Sequence, residues 1–403
     1  MFNQLEAEKR NHRKLGQELE LFTSLEEAPG MPFFLPNGMV IRNELENLWR
    51  EKHTKAGYQE IKTPIMMKQE LWEQSGHWDH YHENMYFSNV DDQNYAIKPM
   101  SCPGAILIFN NKRRSYRELP IRFAELGLVH RHELSGSLNG LLRVRSFTQD
   151  DAHLFVRVDQ IESEIDKILV LIDEFYSHFG FDYKIELSTR PEEHMGSKEI
   201  WDKAESALES VLKSKEVNYQ INEGDGAFYG PKIDFHILDS LGRSWQCGTI
   251  QLDFQMPQKF ECAYVGEDNK LHRPVMIHRA IFGSVERFMA ILIEHFAGEF
   301  PLWLSPVQAK IIPISDSHTA YANDVKSQLE LAGLRVGVDS RTEKMGLKIR
   351  EAEKQKTPYM LVIGDKEMEN QSLALRKRKT GNIGVMSIQE IIEKFTEEIH
   401  CSR

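Results

Sequence analysis

Cysteine is scarce in these 403 residues, and Cys102, Cys247, Cys262 and Cys401 lie far apart with no Cys-x-x-Cys pair among them. That spacing excludes a disulfide framework and points to a reducing cytoplasm. Long apolar runs are missing too. No segment approaches the roughly 20 residues a membrane-spanning helix needs, and Met1 to Glu8 shows no basic stretch leading into an apolar one. Neither membrane insertion nor secretion is expected. Positive charge is in deficit: 50 Lys and Arg stand against 61 Asp and Glu, a net of −11. A generic nucleic-acid coat is thereby disfavoured. No Gly-x-x-x-x-Gly-Lys-Ser/Thr segment is present, which removes a P-loop, and no His-Glu-x-x-His segment, which removes the usual zinc hydrolase.

With 41% hydrophobic residues the chain has material for two or three domains with real cores. Apolar residues at helical spacing (Leu15, Leu19, Phe22) predict a surface helix over 6–22. A helix over 39–53 and a strand over 58–64 follow. Strand patterns then accumulate over 94–99, 122–132, 142–148 and 153–156, with a helix over 159–179 and further strands over 183–188, 233–238, 244–253 and 275–280. Strands joined by hairpins, with helices between groups of them, predict an α+β fold built on an antiparallel sheet with flanking helices, over 1–300. Past residue 300 the rhythm changes to alternating strands and short helices, with a capping box at Ser387-Ile388-Gln389-Glu390 opening the last helix. This predicts a smaller α/β domain over 301–403. Between Arg335 and Lys379 it carries 12 Lys and Arg against 7 Asp and Glu, a local basic face suited to a selective polyanion.

The densest chemistry lies at 131–153. There Arg131, Glu133, Arg143, Phe147, Gln149, Asp151 and His153 share two strands and a loop rich in Ser, Gly and Asn, so that both arginines can reach phosphate. A second segment, Val275-Met276-Ile277-His278-Arg279-Ala280, turns through Gly283-Ser284 into a helix carrying Glu286-Arg287. Together with Lys98-Pro99-Met100-Ser101-Cys102-Pro103-Gly104, Phe228-Tyr229-Gly230-Pro231-Lys232 and the block from Trp245 to Asp253, these resemble motifs 2 and 3 and the accompanying blocks of class II aminoacyl-tRNA synthetases. The threonyl family is the nearest branch. The segment around 39–64 resembles motif 1, the dimer-forming element, and implies a homodimer.

The resemblance implies an ATP-dependent threonine-tRNA ligase: L-threonine is activated to its adenylate and passed to threonine tRNA. Phe147 would stack on adenine and Glu133 read its edge; Arg131 would meet the α-phosphate, Arg143 the bent tail and Arg287 the γ-phosphate, with Gln246 and Thr249 near the ribose. Mg2+ would accompany the nucleotide. Asp151, Tyr229, Gln149 and Arg131 would hold the amino acid's polar groups, and Met100, Gln251 and Ala280 would line its pocket. Three N/S ligands are what a catalytic zinc site needs, since a coordination position stays open. Spacing alone does not single out Cys102, His153 and His278, but the resemblance implies that they bind one Zn2+ per subunit. An open zinc would separate threonine from valine, which a hydrophobic pocket does poorly. In Gly76-His77-Trp78, His77 would accept a proton during transfer to the terminal ribose. Lys344, Glu367 and Arg376 match positions that face the anticodon, while Lys348, Arg350 and Lys377 are expected at phosphate or water.

Bacterial members of the threonyl family carry N-terminal modules, one of which removes misattached serine. The stretch before Phe22 is too short for one, so serine editing is not expected and serylation of threonine tRNA is. Two rivals stand against this reading. Prolyl or seryl relatives share the motifs but lack the Cys-His-His trio. A catalytically silent paralogue, acting as amino-acid sensor or RNA-binding regulator, is opposed by the intact Arg131, Arg143 and Arg287.

Overall fold

The computed structural model describes residues 2–239 and 241–403, which divide into two compact units. One comprises residues 24–32 and 46–291, the other residues 1–23, 33–45 and 292–403.

The first unit is organised by an eight-stranded sheet. Its strands in chain order are β1 (Gln59–Glu60), β2 (Ile121–His130), β3 (Ser146–Val156), β4 (Asp182–Ser188), β5 (Tyr219–Asn222), β6 (Lys232–Leu238), β7 (Ser244–Asp253) and β8 (Val275–Ala280). They lie side by side in the order β5-β4-β6-β7-β8-β3-β2-β1. Pairing is antiparallel through the middle and parallel only at the two ends, β4 with β5 and β1 with β2. This is the expected α+β architecture.

Helix α1 (Cys102–Asn110) opens with Pro103 in its first turn, where a missing N–H costs nothing. It is apolar nearly all round and buries Cys102, Ile106 and Phe109 in one cluster with Phe123 and Phe155. Cys102 therefore opens a helix rather than lying in a strand. Helix α2 (Ile161–His178) buries Ile161, Ile165, Ile168, Leu171, Ile172 and Phe175, a stripe at helical spacing. Helix α3 (Lys198–Ser214) and strand β5 add to the elements read from the sequence. The segment 142–145 is loop, and the pairing strand begins only at Ser146. Arg143 thus reaches its place from a loop closed by the Asn139 to Arg143 bridge.

Beside β2, the Lys98 ammonium donates to Glu125 Oε1 at 2.9 Å and to Thr63 Oγ1 at 2.8 Å. Both charges are buried, so neither can be rehydrated if the other is removed. Glu125→Ala is expected to lower stability by about 3–5 kcal/mol, whereas Lys98→Met with Glu125→Leu should cost far less. Chemical denaturation checks this; equal losses would refute the pairing argument.

The second unit holds a five-stranded sheet. Its strands are β9 (Ala309–Pro313), β10 (Val336–Val338), β11 (Tyr359–Ile363), β12 (Ser372–Lys377) and β13 (Gly381–Ser387), in the order β10-β9-β11-β12-β13. Helices α4 (Thr319–Leu331), α5 (Met345–Lys354) and α6 (Ile388–Ser402) accompany it. Leu302, Ile311, Val325, Leu361, Ile391 and Phe395 share its core. Ser387 forms the expected capping box with Glu390. The N-terminal stretch is two helices, Phe2–Arg10 and His12–Glu18, with Leu15 and Leu19 buried.

Candidate functional site

Alternation along a strand sends every second side chain to one face. On β3 these are Gln149, Asp151 and His153, and the register places Asp151 opposite Ala280 and His153 opposite His278. On β7 they are Thr249 and Gln251, the latter opposite His278. Three adjacent strands thus present their polar side chains to one place.

A cavity of about 500 Å³ opens there. It is lined by Arg131, Glu133, Arg143, Phe147, Gln149, Asp151, Thr249, Gln251, Ala280 and Arg287, with Met100, Tyr229 and Gln246. All the residues read from the sequence as nucleotide-binding or amino-acid-binding therefore meet in one cavity. Tyr81, Phe228 and Lys232 line it too, and sequence reasoning gave them no role.

Arg131, Arg143 and Arg287 line the cavity. Arg131 Nε donates to Pro99 O at 3.1 Å, and its guanidinium lies 5.1 Å from the centre of the Phe147 ring. Arg287 donates through Nε to Leu142 O at 3.1 Å and through a terminal nitrogen to Gln246 O at 3.0 Å. Such two-point attachment aims a planar guanidinium as a lysine cannot be aimed. Gly283, at φ 77°, makes the turn before Arg287; a Cβ there would lie 2.7 Å from Cys247 O. Glu286 accepts the Thr148 N–H at 2.8 Å and so ties the helix Val285–His295 to β3.

Asp151 and Tyr229 are buried in the lining. Tyr229 donates to Gln251 Oε1. Gln149 Oε1 and Thr249 Oγ1 are buried with no protein hydrogen-bond partner, a condition that a bound ligand's polar groups relieve. Burial pushes the Asp151 carboxyl up to about 8, with the charges of Glu125 and Asp150 adding to it.

Cys102, His153 and His278 are all buried, and their donor atoms lie within 4.8 Å of one another. Small side-chain adjustments bring such a trio to the roughly 2.0–2.3 Å of zinc–ligand bonds. Burial holds His153 well below its usual basicity, hence neutral, the form with a lone pair to give. His278 Nε2 meets Asp253 Oδ2 at 2.9 Å, and the other carboxylate oxygen accepts from Gln255 N at 2.7 Å. A carboxylate behind a histidine is the support that metal-binding imidazoles ordinarily have. The donor set fits zinc. Asp253 was legible after all: it stands two residues beyond Gln251 and so on the same face.

His77 does not line the cavity. It is fully buried behind Met100, with Nε2 3.2 Å from Met100 Sδ and 3.8 Å from Cys102 Sγ, and Nδ1 2.7 Å from Ser75 Oγ. Burial lowers its pKa to about 3, with the charges of His278 and Arg131 adding to the effect. Gly76 and His77 are thus part of the packing around the site.

In the second unit, Lys344 is the exposed N-cap of α5, Arg376 lies on β12 with its Nε buried and unpartnered, and Glu367 caps a short helix by accepting Gly364 N at 3.0 Å. Lys348 departs from expectation. It is buried, and its ammonium donates to Pro313 O at 3.1 Å and Asp339 O at 3.0 Å. Its position on the inner side of α5 makes it a clamp on the ends of β9 and β10 instead of a phosphate contact.

Residues 86–296 match the family described as tRNA synthetase class II core domain (G, H, P, S and T), and residues 308–398 match the anticodon binding domain family. The chain is 63% identical over 394 residues to the threonine-tRNA ligase of Acetivibrio thermocellus, covering 98% of this chain and 62% of that protein. It is 62% identical over 398 residues to the threonine-tRNA ligase of Carboxydothermus hydrogenoformans, covering 99% and 63%. The chain thus spans a little over six tenths of the length of these curated relatives. Among solved structures, the RNA binding domain of threonyl-tRNA synthetase from Cryptosporidium parvum Iowa II superposes with a TM-score of 0.93 at 42% identity, over 96% of this chain and 98% of that one. A putative threonyl-tRNA synthetase from Aeropyrum pernix does so at 0.81 and 29% identity, over 97% of both chains.

Proposed function

Because the chain belongs to the class II tRNA synthetase core family, we propose that it activates L-threonine with ATP and transfers the threonyl group to threonine tRNA. The observation that carries this reading is a single cavity lined both by Arg131, Arg143 and Arg287 and by a buried Cys-His-His trio.

In this reading ATP lies with adenine on Phe147 and its edge at Glu133, the ribose near Gln246 and Thr249, and Mg2+ on its phosphates. Arg131, Arg143 and Arg287 take the α-phosphate, the bent tail and the γ-phosphate. Charge builds on the α-phosphate as the threonine carboxylate attacks and pyrophosphate leaves, and fixed guanidinium donors stabilise it. Gln149 and Arg131 orient the carboxylate, Tyr229 meets the amino group, Asp151 takes the hydroxyl, and Met100, Gln251 and Ala280 close around the side chain. Cys102, His153 and His278 would hold zinc, with Asp253 orienting His278. Bound there, zinc supplies an open coordination position that favours an amine and β-hydroxyl together over valine's methyl. His77, behind Met100, is assigned the proton acceptance during transfer to the terminal ribose.

The reading extends to a catalytic domain over 1–300 and an anticodon-binding domain over 301–403, in which Lys344, Glu367 and Arg376 face the anticodon. It also extends to a cytoplasmic homodimer formed through the motif-1 helix Pro36–Lys55. Among the described residues no helix is long and apolar enough to cross a membrane.

Charging of threonine tRNA with labelled threonine, in zinc and magnesium, tests the proposal. Threonyl-tRNA formation is expected. Threonine binding without either charging or pyrophosphate exchange would overturn it in favour of an amino-acid sensor.

A further inference from the structure

Strands that turn Gln149, Asp151, His153, His278 and Ala280 towards the cavity turn Asp150, Ala152 and Arg279 to the opposite face. Arg279 stands opposite Ala152, so Asp150 is its diagonal neighbour on that reverse face. Both charged side chains are buried.

Asp150 Oδ2 accepts two backbone N–H groups, Ile281 and Phe282, each at 2.9 Å. Those residues form the step between Ala280, at the amino-acid end of the cavity, and Gly283, which leads to Arg287. Tyr176 donates its hydroxyl to Ile281 O at 2.7 Å. The peptide groups of this turn are therefore held from behind on both their donor and acceptor sides. Within the turn Ser284 Oγ accepts the Arg287 N–H at 3.0 Å, which passes the constraint on to the arginine.

Arg279 stacks its guanidinium 4.5 Å from the centre of the Tyr58 ring, and its Nε donates to Tyr58 OH at 3.4 Å. Its two terminal nitrogens and Asp150 Oδ1 have no protein hydrogen-bond partner. Arg279 is the cation that favours an ionised Asp150, against a burial that pushes the carboxyl up to about 6.

We propose that Asp150 and Arg279, with Tyr176, are positioning residues: from the reverse face of the sheet they fix the 280–283 turn, and through it the Arg287 guanidinium relative to the amino-acid end of the cavity. The proposal rests on the cavity's reading as an ATP-dependent activation site. It assigns a role in nucleotide binding to side chains that the strand alternation turns to the reverse face of the sheet.

The test compares wild type with Asp150→Asn, Arg279→Met, Arg279→Lys and Tyr176→Phe. ATP affinity is measured by calorimetry, and KM for ATP, KM for threonine and kcat by pyrophosphate exchange. Misplacing a binding group by about 1 Å costs up to about a hundredfold. Asp150→Asn and Arg279→Met should weaken ATP binding and lower kcat by about tenfold each, leave KM for threonine within about twofold, and be largely rescued in Arg279→Lys. Tyr176→Phe, the mildest change, should weaken ATP binding about threefold and serves if the charge variants do not fold. Variants that bind ATP as wild type does, or that lose ATP and threonine affinity alike, overturn the proposal. Wild type that binds ATP but exchanges no pyrophosphate with threonine overturns the functional reading, while the ATP affinities of the variants still decide the positioning.

Discussion

Arg131→Ala is expected to reduce threonine-dependent pyrophosphate exchange by about a thousandfold, or roughly 4 kcal/mol of transition-state stabilisation. The size follows from position. Arg131 lies 5.1 Å from the centre of the Phe147 ring, and its Nε is committed to the Pro99 carbonyl. That commitment fixes the plane of the fork, which in the proposed reading would meet the α-phosphate and the threonine carboxylate. Ground-state ATP makes less use of these donors than the transition state, where negative charge concentrates on the α-phosphoryl oxygens. The loss should therefore fall mainly on kcat, with KM for ATP rising only severalfold. Arg131→Lys should recover little, because an ammonium cannot satisfy Pro99 and two ligand oxygens in one plane. The side chain is only part-buried, so stability should change by less than about 1 kcal/mol. A loss below tenfold in a folded variant would remove Arg131 from the chemistry.

The second large effect concerns the trio. With one zinc per subunit expected in wild type by elemental analysis, His278→Ala should hold none and should reduce threonine activation by about a thousandfold or more, while valine activation changes little. The reasoning is that a site built to engage a hydroxyl rejects the analogue lacking it by about 10⁴-fold, whereas an apolar pocket separates near-isosteres by about a hundredfold at most. Removing one of three protein ligands should collapse the first situation into the second. Asp253→Asn is the graded counterpart. It leaves all three donors and alters only the support of the His278 ring, so zinc affinity should fall by about 10–100-fold while saturating zinc restores activity. A His278→Ala protein that keeps both its zinc and its preference for threonine would contradict the assignment.

The residues of this site were legible through the family resemblance, and the period of two of a β-strand explains why Gln149, Asp151 and His153 share a face. The β7 and β8 spans, Ser244–Asp253 and Val275–Ala280, agree with the reading at both ends, since each is bounded by turn residues and enriched in β-branched or apolar side chains. Pairing β8 with β3 in the observed register then sets His278 opposite His153. Cys102 was harder: Cys102-Pro103-Gly104-Ala105-Ile106-Leu107-Ile108-Phe109 has no polar face to announce a helix, and its helicity follows from burial among Phe123 and Phe155. The polar appearance of His77, His80 and His82 hides a turn whose first histidine packs beneath Met100, a tertiary fact that local composition does not carry. Edge strand β13, interrupted by Gly381 and Gly384, lacks alternation because most of its residues are exposed or half-exposed. Lys348 reads as a surface charge until α5 turns it inward onto the Pro313 and Asp339 carbonyls.

The central claim is that one cavity couples ATP to an amino acid recognised through its hydroxyl at the Cys102, His153 and His278 end. Pyrophosphate exchange with threonine and with valine, before zinc chelation, after it and after zinc is restored, tests this most directly. The account predicts strong exchange with threonine and little with valine, loss of the threonine signal on chelation, and its return with zinc. Threonine exchange that survives complete removal of zinc, or equal exchange with valine, would contradict it.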